Sequence, residues 1–284
     1  MPLGFNISNS QIQDDSLNIY MVLPEASPIV QTSGLGEVGE GLPNKLAELG
    51  HRVHVCIPKH TGALENAVRM GLSPLYMKNT KGHSEIFIGE KAYHPAVFRF
   101  WMDAAKRLSY DLIGTDCFSV FDNKKYRNLY NHSDNYMRFM LFDRIAASRI
   151  IPKPNTVVHG HDWQAGHLHT ELKTRYLAKN LPTLHTIHNL KYRDTVSLDE
   201  FYRLTGLTNT DYPSLYTENG IKFPFEDKAD PTQAALSTAD YVNTVSEQYT
   251  KETLGSFGEG FSHILNKRFA EGRYSGIVNG VGDN

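Results

Sequence analysis

The sequence predicts an α/β fold: a mostly parallel sheet with helices on both faces. Short β-branched runs alternate with longer amphipathic stretches, the rhythm of strand–helix–strand units. Glycine and polar residues also gather just after the runs, where parallel strands end and helix N-termini begin. A length of 284 residues with 40% hydrophobic and 21% charged composition is enough to bury a large core, and excludes disorder and low-complexity scaffolds.

The elements follow in order. Leu17–Leu23 is an apolar run that opens the sheet, and Val53–Ile57 is the second strand. Between them Pro43–Leu49 reads as a helix, with proline in its first turn and Gly50 just past its end. Three shorter strands are expected at Ile86–Ile88, Val97–Trp101 and Phe118–Phe121. A long helix is expected over Asp134–Ile150, with apolar residues at Met137, Phe139, Met140, Leu141, Ile145 and Ala146. The strand Thr156–His159, the helix Gln164–Leu177 and the strand Leu184–Ile187 come next. Gly206–Asp230 is rich in Thr, Asn, Gly and Pro and reads as a surface excursion: a lid, an acceptor-contacting loop or a plain solvated insertion. The chain then returns through a helix to the strand Tyr241–Val245, after which Ser246 caps the helix Glu247–Leu254.

No repeat, charge run or linker-like break divides the chain, so residues 17–284 are expected to form one domain behind a flexible leader of residues 1–16. That leader carries no Lys or Arg and no long apolar core, which fits neither a secretory signal nor a transit peptide. No apolar run approaches membrane-spanning length, and Cys56 and Cys117 read as intracellular thiols, so the expected address is the cytoplasm. With 29 basic against 31 acidic residues there is no broad phosphate-binding face, and neither nucleic acid nor an acidic membrane is an expected partner.

Ligands of an open parallel sheet bind outside the carboxyl ends of its strands, which selects four loops. The first, Ser33-Gly34-Leu35-Gly36-Glu37-Val38-Gly39-Glu40-Gly41, contains a literal GxGxxG. A dinucleotide reading needs the glycines hard against the strand and an acid ending the next one. Here about ten residues intervene, and the second strand ends in Pro58-Lys59-His60. The GK[ST] ending of a phosphate-binding P-loop is missing too, so what remains is a bare backbone that a phosphate or sugar can approach closely.

The second loop holds His159-Gly160-His161-Asp162-Trp163 and the third His185-Thr186-Ile187-His188-Asn189. These histidines, with His167 and His169, raise the question of a metal. No HExxH or Cys pairing accompanies them, and alternation along a strand is expected to divide them between its faces. Asp162 admits two readings: a hydrogen-bond acceptor for sugar hydroxyls beside the Trp163 indole, or the N-cap of the helix from Gln164. No Gly-x-Ser-x-Gly elbow or paired cysteine supports a nucleophilic hydrolase, and no cofactor is called for.

Taken in order, Gln31-Thr32-Ser33-Gly34-Leu35-Gly36-Glu37-Val38, Gly41-Leu42-Pro43, Ala47-Glu48-Leu49-Gly50-His51, His159-Gly160-His161-Asp162-Trp163-Gln164-Ala165-Gly166, Thr186-Ile187-His188-Asn189-Leu190, Ala239-Asp240-Tyr241-Val242-Asn243-Thr244-Val245-Ser246 and Gly276-Ile277-Val278-Asn279-Gly280-Val281 resemble the bacterial glycogen synthase and plant starch synthase family. The resemblance implies a GT-B glycosyltransferase, two Rossmann-like domains facing a cleft, of which this chain is the N-terminal half. It implies retaining transfer of glucose from ADP-glucose to the non-reducing end of an α-1,4-glucan. It also places Asp162 and His188 at the catalytic centre, steadying positive charge that develops on the donor ring, with Gln31, Ser33, Gly34, Gly36, Glu37, Asn189 and Tyr192 binding substrate.

Two departures follow from the same resemblance. The family's Lys-Thr-Gly-Gly-Leu stands here as Gln31-Thr32-Ser33-Gly34-Leu35, which removes a cation facing the donor. The chain also stops at Asn284, before the C-terminal domain that would close the cleft, so the isolated chain is expected to be inactive. Two other functions fit: a half domain that binds glucan or a partner without catalysis, and a GT-B transferase using another sugar nucleotide such as UDP-glucose.

Overall fold

The structure is a computed structural model describing residues 16–77, 85–115, 129–130, 132–176, 178, 180–207 and 228–280. Its first half comprises β1 (Asn18–Val22), α1 (Gly34–Glu48), β2 (Arg52–Pro58), α2 (Ala63–Arg69), β3 (Leu75–Met77), β4 (Ile86–Ile88), β5 (Lys91–Tyr93), β6 (Pro95–Trp101), β7 (Leu108–Thr115) and α3 (Asn135–Arg149). The second half comprises β8 (Thr156–His161), a 3₁₀ turn (Trp163–Ala165), α4 (Leu168–Thr174), β9 (Thr183–Ile187), β10 (Val196–Ser197), α5 (Leu198–Thr205) and β11 (Lys228–Ala229). It ends with α6 (Pro231–Thr238), β12 (Tyr241–Thr244), α7 (Glu247–Leu254), a 3₁₀ turn (Ser256–Gly258), α8 (Ser262–Ala270) and β13 (Tyr274–Gly276).

Nine of these strands form one sheet in the order β13-β12-β9-β8-β1-β2-β7-β6-β3. From β13 to β7 every neighbouring pair is parallel; β6 runs antiparallel to both β7 and β3. Side chains alternate across β1, so Ile19 and Met21 join the core under α1 while Tyr20 and Val22 join the core under α3. A third apolar cluster, Ile187, Leu236, Val242, Phe261, Ile264, Leu265 and Tyr274, lies where α6 and α8 meet β9, β12 and β13. The predicted α/β class with helices on both faces is therefore the observed one.

Three elements differ from expectation. First, α1 starts at Gly34 rather than Pro43, so the glycine-rich segment is the first turns of a helix and not a loop. A Cβ at Gly39 would stand 2.8 Å from Leu23 Cδ1, Ala26 Cβ and the Glu25 carbonyl, so this glycine lets the helix lie against the chain leaving β1. Pro43 inside α1 has no N–H for the Gly39 carbonyl one turn back, and the Tyr110 hydroxyl of β7 donates to that carbonyl instead at 2.9 Å. Tyr110→Phe is expected to leave the carbonyl buried and unpaired, costing about 1–3 kcal/mol in urea denaturation.

Second, the helix expected over Gln164–Leu177 breaks in two. The buried Asp143 carboxylate of α3 accepts the His167 N–H at 2.9 Å, taking it out of the helical ladder, and Gly166 sits so close to Pro231 that a Cβ would be 2.3 Å from its carbonyl oxygen. Third, β7 is buried along its whole length but is absent from the expected strands, while the expected strand Phe118–Phe121 lies outside the described residues. The leader to residue 15, Cys117 and residues 208–227 of the expected excursion also lie outside them. At the borders of that excursion Gly206 ends α5 at φ +68 and Asp230 caps α6, accepting the Thr232 N–H at 2.8 Å. Ser246 caps α7 as expected, accepting the Tyr249 N–H at 3.0 Å. Cys56 is buried in β2, where burial pushes its thiol above the usual range.

Candidate active site

From β1 the chain passes right to β2, and later returns to β1's left as β8, so the direction of winding reverses between β1 and β8. Parallel sheets place ligands at such a point, beyond the carboxyl ends of the strands. Register puts Val22 beside Gly160, and His161 beside Thr186, so the segments after β1, β8 and β9 leave the sheet side by side.

On the β1 side, Ser33 caps α1 and accepts the Leu35 N–H at 3.2 Å. Its hydroxyl also donates to Glu25, which is fully buried and accepts the Thr32 N–H and hydroxyl at 2.6 and 2.7 Å. Tyr130 is close enough to Glu25 and to Asp162 to feel both charges; burial first, then these carboxylates, push its pKa up. A Cβ on Gly34 would meet nothing within 4 Å, so its bare backbone faces open space at the helix N-terminus. Gly36 is different. A Cβ there would be 2.7 Å from Gln31 Cγ, so this glycine makes room for Gln31, whose amide reaches the Glu37 carboxylate at 3.4 Å.

On the β8 side, Asp162 does not cap the following turn. Its Oδ1 accepts the His188 N–H at 2.7 Å and the Asn189 N–H at 3.2 Å, tying the ends of β8 and β9 together. Its backbone has φ +55 and ψ −177, a conformation that L-residues rarely occupy and that clusters at functional sites. Burial raises the carboxyl to about 7 despite the two backbone N–H groups that favour its charged form. Asn189 turns the loop by accepting the Lys191 N–H at 2.9 Å, and the Tyr249 hydroxyl accepts the Leu190 N–H at 3.1 Å. Tyr192, on the same loop, is 67% exposed and takes no part in these bonds.

The histidines behind this edge are not divided between two faces as expected. His159 and His161 are two apart and share a face, with ring centroids 4.0 Å apart; His161 Nδ1 meets His188 Nε2 at 3.1 Å. His185 and His169 pair at 3.2 Å. Burial holds His188 and His167 at about 4, His159 and His169 at about 3, and His161 and His185 well below the usual value, so all six are neutral at pH 7. Among the described residues no three His, Cys, Asp or Glu are grouped to hold a metal ion. No helix of the described residues is long and apolar enough to cross a membrane.

The structure thus brings Asp162, His188 and Asn189 into one hydrogen-bonded group, with Tyr130 near both Asp162 and the Glu25 that holds Ser33. Glu25, Tyr130, His161 and Tyr249 were not anticipated. A lone acid in the apolar stretch Leu23–Val30 was the one sequence signal that singled out Glu25. A neutral imidazole, a carboxyl titrating near neutrality and free backbone beside them suit the binding of hydroxyl-rich, phosphate-bearing ligands.

The chain is similar to glycogen synthase from Clostridioides difficile (strain 630), 29% identical over 93% of this chain and 53% of that protein. It is also similar to glycogen synthase from Bacillus subtilis (strain 168), 27% identical over 94% of this chain and 52% of that protein. The chain therefore spans about half the length of these relatives. Its fold matches the catalytic domain of starch synthase IV from Arabidopsis thaliana, solved bound to ADP and acarbose, with a TM-score of 0.74 and 23% identity over 94% of this chain and 52% of that one. The family described as starch synthase catalytic domain matches residues 18–267, nearly all of the sheet described above, and the chain belongs to that family.

Proposed function

We propose that residues 17–284 are the N-terminal catalytic half of a retaining glucosyltransferase that moves glucose from ADP-glucose to the end of an α-1,4-glucan. The observation that carries this reading is the meeting of Asp162 and His188 with the open start of α1 at the sheet's switch point. In this reading Gly34, Gly36, Ser33, Gln31 and Glu37 border the donor's phosphates and glucose. Asp162 and His188 orient the glucose, and the Asp162 carboxylate steadies the positive charge that develops as its bond to phosphate breaks. Asn189 and Tyr192 line the loop beside it. With no carboxylate among the described residues placed as a nucleophile, the leaving phosphate takes the acceptor's proton, which fits retention. The chain works in the cytoplasm and needs a second domain to close the cleft, so alone it is inactive.

Radiolabelled ADP-glucose and glycogen test this. Native protein captured from its source cells with an antibody to this chain is expected to incorporate glucose. The purified 284-residue chain is expected to incorporate none, and measurable synthesis by it would overturn the inactivity. Incorporation from UDP-glucose in preference to ADP-glucose would move the donor assignment. A second reading, a glucan- or partner-binding half without catalysis, is favoured by Gln31, since a neutral amide already engaged with Glu37 stands where the family's cation would face phosphate. Gln31→Lys is expected to tighten binding of ADP to the chain about tenfold by calorimetry, the lower end of what one charge-assisted contact contributes, because Glu37 shares the new charge.

A further inference from the structure

His161 and His188 share one hydrogen bond, Nδ1 to Nε2 at 3.1 Å. Burial keeps both imidazoles neutral at pH 7, so each carries one ring proton and only one of the two nitrogens facing each other can hold it. Two arrangements are possible. If His188 donates from Nε2, His161 must carry its own proton on Nε2. That nitrogen is buried and has no partner among the described residues, so the arrangement strands an N–H donor in the interior. If His161 donates from Nδ1, the same buried Nε2 carries only a lone pair. Orphaned buried N–H groups are the rarer and costlier defect, which decides for the second arrangement.

The ring stacked beside His161 does not alter this. The Thr186 hydroxyl donates to Asn243 Oδ1 at 2.7 Å, and the Asn243 amide nitrogen is itself spent on the Thr244 carbonyl. Thr186 must therefore accept from His159 Nε2 at 2.6 Å, which fixes His159 as the Nε2–H form. His159 thus holds its proton toward Thr186, and its ring packs tilted by 32° against His161, centroids 4.0 Å apart.

We infer that His161 is a positioning residue that locks His188 in its Nδ1–H form, so that His188 presents a hydrogen-bond donor, and not a lone pair, to the oxygen of a bound ligand. His188 is half-buried at the open edge of the sheet, and its backbone is pinned by Asp162, so the ring is held at both ends. Naming that oxygen as a hydroxyl or phosphate oxygen of a nucleotide sugar rests on the proposed function; the tautomer does not. The consequence for chemistry is definite: Nδ1 of His188 can polarise or orient an oxygen but cannot take a proton from one.

Long-range ¹H–¹⁵N correlation spectra of the chain labelled with ¹⁵N-histidine test this at neutral pH, with no donor or glucan present. The expected result is a pyrrole-type Nδ1 and a pyridine-type Nε2 for His188. His161→Asn retains an N–H near the original donor and is expected to keep that pattern. His161→Leu is expected to shift His188 toward the Nε2–H form that an isolated imidazole side chain favours. An Nε2–H His188 in the parent chain, or unchanged His188 signals in His161→Leu, would overturn the inference. Should His161→Leu fail to fold, the parent spectrum still decides. Because no ligand is present, a chain that binds no nucleotide sugar leaves the tautomer standing, and an Nε2–H His188 defeats it even in a chain that binds ADP-glucose.

Discussion

Lowering the pH from 7 to 5.5 is expected to remove on the order of 10 kcal/mol of stability and unfold the chain, an effect comparable with a typical domain's whole stability. Eight buried histidines carry it: His54, His60, His159, His161, His167, His169, His185 and His188, all shifted down chiefly by desolvation. The sign follows from proton binding. Their folded pKa values, about 3 to 4 where given, lie below the ordinary 6.5, so the unfolded chain takes up protons first as pH falls. Each histidine then costs about 1.4 kcal/mol per pH unit below 6.5 until its folded form titrates. Far-UV circular dichroism followed from pH 8 to 4 should show a cooperative loss centred well above pH 4. A chain still folded at pH 4.5 would show that these imidazoles are hydrated.

Asp162 carries the second large effect, with the opposite pH sign. Asp162→Ala is expected to destabilise the chain by about 2–4 kcal/mol in urea, since the N–H groups of His188 and Asn189 lose their shared acceptor. Asp162→Gly loses the same acceptor but removes the strain of φ +55, so it should be about 1–3 kcal/mol more stable than the alanine variant. Asp162→Asn keeps an oxygen for both donors. The parent carboxyl is raised to about 7 from 3.8 by burial, so the folded state holds its proton more tightly, and stability falls as pH rises between those values. Above pH 7 the asparagine variant is therefore expected to match or exceed the parent, an advantage that shrinks as pH falls from 7 towards 6, while the chain is still folded. A parent whose stability does not fall between pH 6 and 7 relative to Asp162→Asn would contradict the assignment of this carboxyl.

Strands rich in β-branched residues announced themselves. The expected positions of β1, β2, β8, β9 and β12 agree with the observed ones to within a residue or two. β7, Leu-Ser-Tyr-Asp-Leu-Ile-Gly-Thr, did not, because Asp111 and Ser109 look like surface residues until their partners are known. Arg99 of β6 grips Asp111 through two bonds of 2.7 Å, and His54 of β2 meets Ser109 at 2.8 Å. Both partners come from neighbouring strands, so this pattern is not local. The start of α1 was hidden for a related reason: its glycines are weak helix formers kept by close packing at Gly39 and Gly36. At the site, Asp162 and His188 were visible as polar residues at strand ends within a family-like order of motifs. The bond between His161 and His188 depends on the register of β8 against β9, and Glu25 on the loop folding back over it, so neither was legible.

The pairing of β1 with β8 has a consequence for how the chain reaches its fold. Asn18 and Thr156 stand side by side although 138 residues separate them, more than for any other neighbouring strands in the sheet. During synthesis β1 therefore waits, with one edge unpaired, until more than half of the chain has emerged. Closing so long a loop comes late and slowly, and the exposed edge of an apolar parallel strand invites association meanwhile. The seam that brings the two halves of the site together is thus the longest-range closure in the sheet, which makes the yield of soluble chain sensitive to growth temperature and to chaperone supply.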